Sequence, residues 1–230
     1  MPRPKGARDA DYDRRRSELL RSISGHMMRR GSPRPSLREL AAAAGVSVPT
    51  LRHYFGPRTG VIDAVFEECL RLGRDGLAAQ RESDRPFAES IADYAEALVR
   101  ALAAERDVRL GDLFAVGLGE GLLDRAISRS ALRHILDPTV ETLEVRLRSH
   151  MARGEMIETD ARAAALMLLS PLLLASLHQD QLGGAAERPI NQVDFGHTVC
   201  AAFVRAFATM RCEGANMSLG GAGRSDPPLR

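Results

Sequence analysis

The chain is short of cysteine, of lysine and of long apolar runs, and two of these shortages remove a class of protein. Three cysteines, Cys69, Cys200 and Cys212, cannot make a full disulfide set. Met1–Asp13 is polar and charged and does not read as a signal peptide, so a reducing cytoplasm is the expected setting. No apolar run approaches the ~20 residues of a membrane span. The longest, Ala163–Leu177, is interrupted by Ser170, Pro171 and Ser176 and reads as a buried core or interface helix. Lys5 is the single lysine among 32 basic residues, a bias of genome composition more than of function. No segment reads as a β-strand, and no repeat of roughly 20–50 residues is found.

Catalytic and metal chemistry are equally scarce. No Ser/His/Asp or Cys/His pairing has recognisable flanking sequence, so no enzyme is expected. His197 and Cys200 lie one helical turn apart without a nearby third ligand, and no metal or cofactor is expected. Gly117, Gly119 and Gly121 alternate as in a phosphate loop. No apolar strand precedes them and no Lys-Ser/Thr follows, so they read as a helix–helix connection.

What is present is a sizeable helical core and an uneven charge. The 230 residues are 44% hydrophobic and 27% charged, enough for one or two domains at ~150 residues each. Residues 1–60 carry 13 basic and 5 acidic residues, a net of +8; residues 61–230 carry 19 and 25, a net of −6. A basic quarter on an acidic remainder is the pattern of a nucleic-acid-reading head on a body that does not touch nucleic acid.

The head has a local signature at residues 36–58, SLRELAAAAGVSVPTLRHYFGPR. Ser36 followed three residues later by Glu39 is a capping box, which satisfies two orphan donors at a helix start. Leu37, Leu40, Ala41 and Ala44 form a helical apolar stripe. Gly45 supplies the permissive backbone that ends that helix. Ser47 can cap the next, with Pro49 in its first turn, where a missing N–H does little harm. Two short helices about a tight glycine turn are the layout of a helix-turn-helix, whose second helix enters the major groove of DNA.

The order of residues is more specific than the layout. Ser36, Ala41, Ala44-Gly45-Val46-Ser47, Thr50-Leu51, Phe55 and a basic residue three positions on resemble the TetR family of bacterial transcriptional regulators, over residues 36–66. The remaining chain resembles that family only in helical character and length. The resemblance implies an all-α protein of about nine helices that binds a double-stranded operator as a homodimer and is released by a small-molecule effector. This chain departs from the family pattern at Arg52, where many members have a phosphate-contacting Tyr, at Pro49, often Gly or Ala, and at Arg58, often Lys. Arg52 can bond a phosphate or a guanine edge.

The candidate base-reading residues are Val48, Pro49, Thr50, Arg52 and His53, beside Ser47 at the helix start. Ser36, Tyr54 and Arg58 are candidate phosphate contacts, which set register. Leu51 and Phe55 are expected to pack the head's interior.

The expected division is a flexible basic arm at 1–10, a helix-turn-helix domain at 11–58, a linking helix at 59–82, a ligand-binding and dimerisation domain at 83–212 and a disordered tail at 213–230. Thr59 and Thr159 are expected to cap helices, and Asp137-Pro138 to break one. The last two helices are the expected dimer seam, since a segment as apolar as Ala163–Leu177 must be covered on more than one side. Leu113, Phe114, Ile135, Leu143, Met167 and Leu172 are candidate liners of an effector pocket, with His134 and His178 orienting a polar ligand group. A population shift to a head spacing that no longer fits DNA would couple the two sites. The alternatives are a regulator without an effector and a helical interaction protein that has lost DNA binding.

Overall fold

The computed structural model describes residues 5–29, 34–103 and 108–209. Among them the chain is helical, without a β-strand: α1 Lys5–Met27, α2 Leu37–Ala43, α3 Val48–Phe55, α4 Arg58–Ala79, α5 Phe87–Ala103, α6 Leu110–Gly121, α7 Arg125–Ala131, α8 Asp137–Ala152, α9 Ala161–Ser176, α10 Gly184–Glu187 and α11 Gln192–Phe207. An isolated antiparallel bridge joins Met156 to Ala208. α7 and α8 run on as one helix, and α10 is a single turn of four residues. The remaining elements make the nine helices expected.

Two apolar clusters hold the fold. The first joins Leu19, Leu20 and Ile23 of α1 to Leu40, Leu51, Phe55, Ile62 and Phe66, and continues into Leu113, Ile127 and Ile135. The head therefore shares its interior with α6, α7 and the turn that follows α7. The second cluster packs Ile91, Leu98 and Leu102 of α5 against Val140, Leu143, Leu147 and Met151 of α8, Leu168 and Leu172 of α9, and Phe203 of α11. Val140, Leu143, Leu147 and Met151 thus form one inward face of α8 at helical spacing.

Several local expectations are corrected. Residues 5–10 of the expected arm belong to α1, whose exposed surface carries the ion pair of Arg15 with Glu18 at 3.1 Å and that of Arg14 with Asp11. The tail at 213–230, Cys212 and residues 1–4 lie outside the described residues. α4 begins at Arg58 without a side-chain cap, and Asp160 rather than Thr159 caps α9 by accepting from the amides of Arg162 and Ala163.

Asp137-Pro138 does not break the chain's course. A π-helical turn over Leu132–Leu136 precedes it, and Asp137 N–H donates to Leu132 O, one residue further back than in an α-helix. The wider turn absorbs the position where proline has no N–H to give.

The alternating glycines lie inside α6, not in a connection. Packing explains two of them: a Cβ on Gly117 would come within 2.8 Å of Ile135 Cδ1, and one on Gly121 within 3.3 Å of Ser128 Cα, whereas one on Gly119 would meet nothing within 4 Å. Gly117 and Gly121 are close-approach positions between α6 and the helices that follow. α9 continues through a second π-helical turn to Gln181. The segment Ala161–Gln181, 21 residues with an 18-residue window of mean hydropathy 1.5, is by length and composition alone long enough to cross a membrane, contrary to the expectation from the uninterrupted apolar run. Ser170 does not interrupt it because its hydroxyl donates to Leu166 O at 2.7 Å. Leu168, Leu169 and Leu172 of this segment are buried in the body.

Candidate nucleic-acid interface

The head's local geometry follows from its caps. Glu39 N–H donates to Ser36 Oγ at 3.3 Å, and Ser36 N–H donates to Glu39 Oε2 at 2.7 Å, completing the capping box of α2. Hydrogen bonding to Ser36 holds the Glu39 carboxyl below its usual range. Gly45 has φ of 65°, the left-handed region, and turns the chain into α3. Ser47 then caps α3, accepting from Thr50 N–H at 3.2 Å, while the two hydroxyls meet at 2.8 Å.

α3 has eight residues and two faces. Leu51 is fully buried and Phe55 nearly so, and both join the first apolar cluster as expected. Pro49, Thr50, Arg52 and His53 are exposed, and Val48 is half-buried against the cluster. No carboxylate pairs with Arg52 among the described residues. The outward surface therefore offers an unpaired guanidinium, an imidazole, a hydroxyl and an apolar proline ring. That set can donate to base edges and meet a thymine methyl in a major groove.

Two of the candidate phosphate contacts are placed differently. Tyr54 is half-buried and stacks on Tyr12 of α1, with centroids 4.8 Å apart. Arg58 is turned away from the exposed side of α3: its Nε donates to Pro35 O at 2.7 Å, its Nη1 to Glu120 Oε2 at 2.9 Å, and its Nη2 to Glu120 Oε1. The expected phosphate contact at Arg58 is thus corrected, because a buried carboxylate of α6 takes up its guanidinium. Ser36 stays exposed at the start of α2.

Sequence reasoning missed three participants. Tyr12 and Arg16 of α1 support α3, Arg16 lying over the Phe55 ring at 5.4 Å. Glu120, 6% exposed, ties α6 to the head. None has a local signal, since each acts on a residue about 40 to 60 positions away along the chain.

The candidate effector liners are divided between the two apolar clusters. Leu113 and Ile135 belong to the first cluster, and Leu143 and Leu172 to the second. Phe114 is half-buried and packs against both. Met167 is 60% exposed on the outer side of α9, because the inward face is taken by Ala164, Leu168 and Leu172 at helical spacing. His178 is exposed beside Gln179, and His134 Nε2 lies 3.5 Å from Asp63 Oδ1 of α4.

The body holds one buried polar chain of a different kind. Ser90 Oγ lies 2.8 Å from His150 Nε2, and His150 Nδ1 lies 2.6 Å from Glu155 Oε2, the order of a nucleophilic relay. Ser90 and His150 are both fully buried, and Arg146 Nη1 also donates to Ser90 Oγ at 3.0 Å. With its hydroxyl so occupied, the chain cross-links α5 to α8. Burial pushes the His150 pKa down, against the hydrogen bond to Glu155.

An all-α body carrying a helix-turn-helix head with an exposed second helix defines a class of protein. No family model matches the sequence, and no curated protein matches it. Among solved structures, a TetR transcription regulator from Haloarcula marismortui is similar, with a TM-score of 0.65 at 12% identity over 86% of this chain and 100% of that one. A TetR-family transcriptional regulator from Agrobacterium tumefaciens gives 0.63 at 13% identity over 86% and 100%. The transcriptional regulator FadR from Bacillus subtilis, in complex with stearoyl-CoA, gives 0.64 at 15% identity over 82% and 97%. The chain has the fold of the TetR-family regulators along nearly its whole described length.

Proposed function

We propose that this chain is a TetR-family transcriptional regulator, not an enzyme, acting in the cytoplasm as a homodimer on a palindromic DNA operator. The observation that carries the reading is the division of α3. Leu51 and Phe55 anchor it from below, while Pro49, Thr50, Arg52 and His53 face outward together. The residue order of the head supports the family assignment, and the shared fold agrees with it.

The dimer seam in this reading is formed by α9 and α11. Leu166, Met167 and Leu174 of α9 are 45%, 60% and 64% exposed, and Ala201, Ala202 and Ala206 of α11 are exposed as well. Large apolar side chains in one row ask for a partner surface, and a two-fold axis through them matches a palindrome. A repressor released by a small molecule held in the helical body is the mechanism favoured, with the effector acting through head spacing. That a similar regulator has been seen with stearoyl-CoA makes acyl thioesters the first compounds to try.

Selection of bound duplexes from a random DNA library tests the reading. The expected product is an inverted repeat with half-sites about one helical turn, ~34 Å, apart. Recovery of unrelated sequences, each bound equally well, would refute it.

A further inference from the structure

Glu120 lies near the C-terminal end of α6, in the body, yet its carboxylate is buried among groups of the head. Oε2 accepts from Arg34 Nε at 2.7 Å and from Arg58 Nη1 at 2.9 Å, and Oε1 accepts from Arg58 Nη2. Arg34 precedes α2, and Arg58 opens α4. The two arginines therefore bracket the helix-turn-helix, one at its entry and one at its exit. Arg58 also closes the bracket on itself by donating to Pro35 O at 2.7 Å. One carboxylate of the body thus holds both ends of the unit that presents α3. Apolar packing between α6, α7 and α4 is non-directional and tolerates small rotations, whereas a two-pronged guanidinium–carboxylate contact fixes an orientation.

We infer that Glu120 is a positioning residue for DNA recognition: its carboxylate, held by Arg34 and Arg58, sets the angle of the helix-turn-helix against the body, and hence the spacing of the two heads. This rests on the DNA-binding reading above only for its consequence; the latch itself is tested without DNA.

The experiment uses the full chain with Cys69, Cys200 and Cys212 replaced by alanine. Spin labels are placed at A42C in the head and A88C in the body, both exposed positions. Labelled chains are diluted with unlabelled chain, so that intramolecular distances dominate. The native sequence is expected to give one narrow distance. Glu120→Gln should broaden or shift it, and Arg34→Gln, which leaves Arg58 in place, should do so to a smaller extent. Glu96→Gln, the same change of charge at an exposed carboxylate of α5 whose ion pair with Arg100 stays within that helix, should leave it narrow. An unchanged distribution in Glu120→Gln overturns the latch; should that variant fail to fold, an unchanged distribution in Arg34→Gln does so.

On the selected operator, Glu120→Gln should lower the ratio of specific to non-specific affinity by about tenfold, and Glu120→Asp by less. General destabilisation would lower both affinities together and leave the ratio unchanged, which counts against the inference. A native protein that binds no sequence preferentially would sink the functional reading and leave the distance measurement to judge the latch.

Discussion

Tyr12 of α1 stacks on Tyr54 of α3, with ring centroids 4.8 Å apart and planes 22° from parallel. His53 meets both rings edge-on, at 6.4 and 5.5 Å. α3 is thus backed along its C-terminal half by an aromatic cluster, which also holds His53 of its outer face.

Replacing Tyr12 by alanine removes that backing and the edge contact with His53, and leaves Pro49, Thr50 and Arg52 untouched. Loss of the stack should cost about 0.5–1.5 kcal/mol beyond the lost burial. DNA affinity should fall for all sequences, with base preference unchanged except where His53 reads. Thermal melting and binding to a panel of single-base operator variants would check this; altered preference at several positions would contradict it.

Much of the head was legible because its determinants are local. Ser36 with Glu39, Gly45, and Ser47 with Thr50 each act within four residues, and the periodicity that hides Leu51 and Phe55 is a property of one helix. Arg58 was not legible: the same residue suits a phosphate or a carboxylate, and the choice was made by Glu120, 62 positions away. Gly117 and Gly121 failed for a related reason. Glycine marks a turn in local terms and a close helix contact in tertiary terms, and only packing against Ile135 and Ser128 decides between them. The effector liners were chosen as apolar helix residues, a criterion that core packing satisfies equally well, and the phase of α9 turned Met167 outward.

The Ser90–His150–Glu155 chain, buried at its first two members, makes stability depend on pH. Burial lowers the folded-state pKa of His150 below its ordinary 6.5. The unfolded chain therefore takes up a proton first as pH falls, and stability is lost below about pH 6.5 while being full above it. The Glu155 carboxyl, lowered by its bonds to His150 and Arg153, adds a loss only below its ordinary 4.5. Melting temperature should be flat from about pH 7 to 8 and fall as pH drops below about 6.5. His150→Gln should lower the plateau and flatten that fall; an equally steep fall in the variant would assign the effect elsewhere.

The outer face of α9 is the dimer seam proposed above. Leu174→Arg places a charge in the row formed by Leu166, Met167 and Leu174, where a partner surface would have to desolvate it. Sedimentation should show the native chain as a dimer and the variant as a folded monomer, with operator affinity reduced by two orders of magnitude or about that. A variant that remains dimeric would move the seam away from α9.

The central claim is that the outward side of α3 reads nucleobases, and the most direct measurement compares two DNAs with two proteins. The native chain and the Arg52→Ala/His53→Ala variant are titrated with the selected palindrome and with an unrelated duplex at the same salt. Each lost base contact should cost about 1–3 kcal/mol on the palindrome, while affinity for the unrelated duplex falls far less. Equal losses on both DNAs, or none on either, would contradict the account.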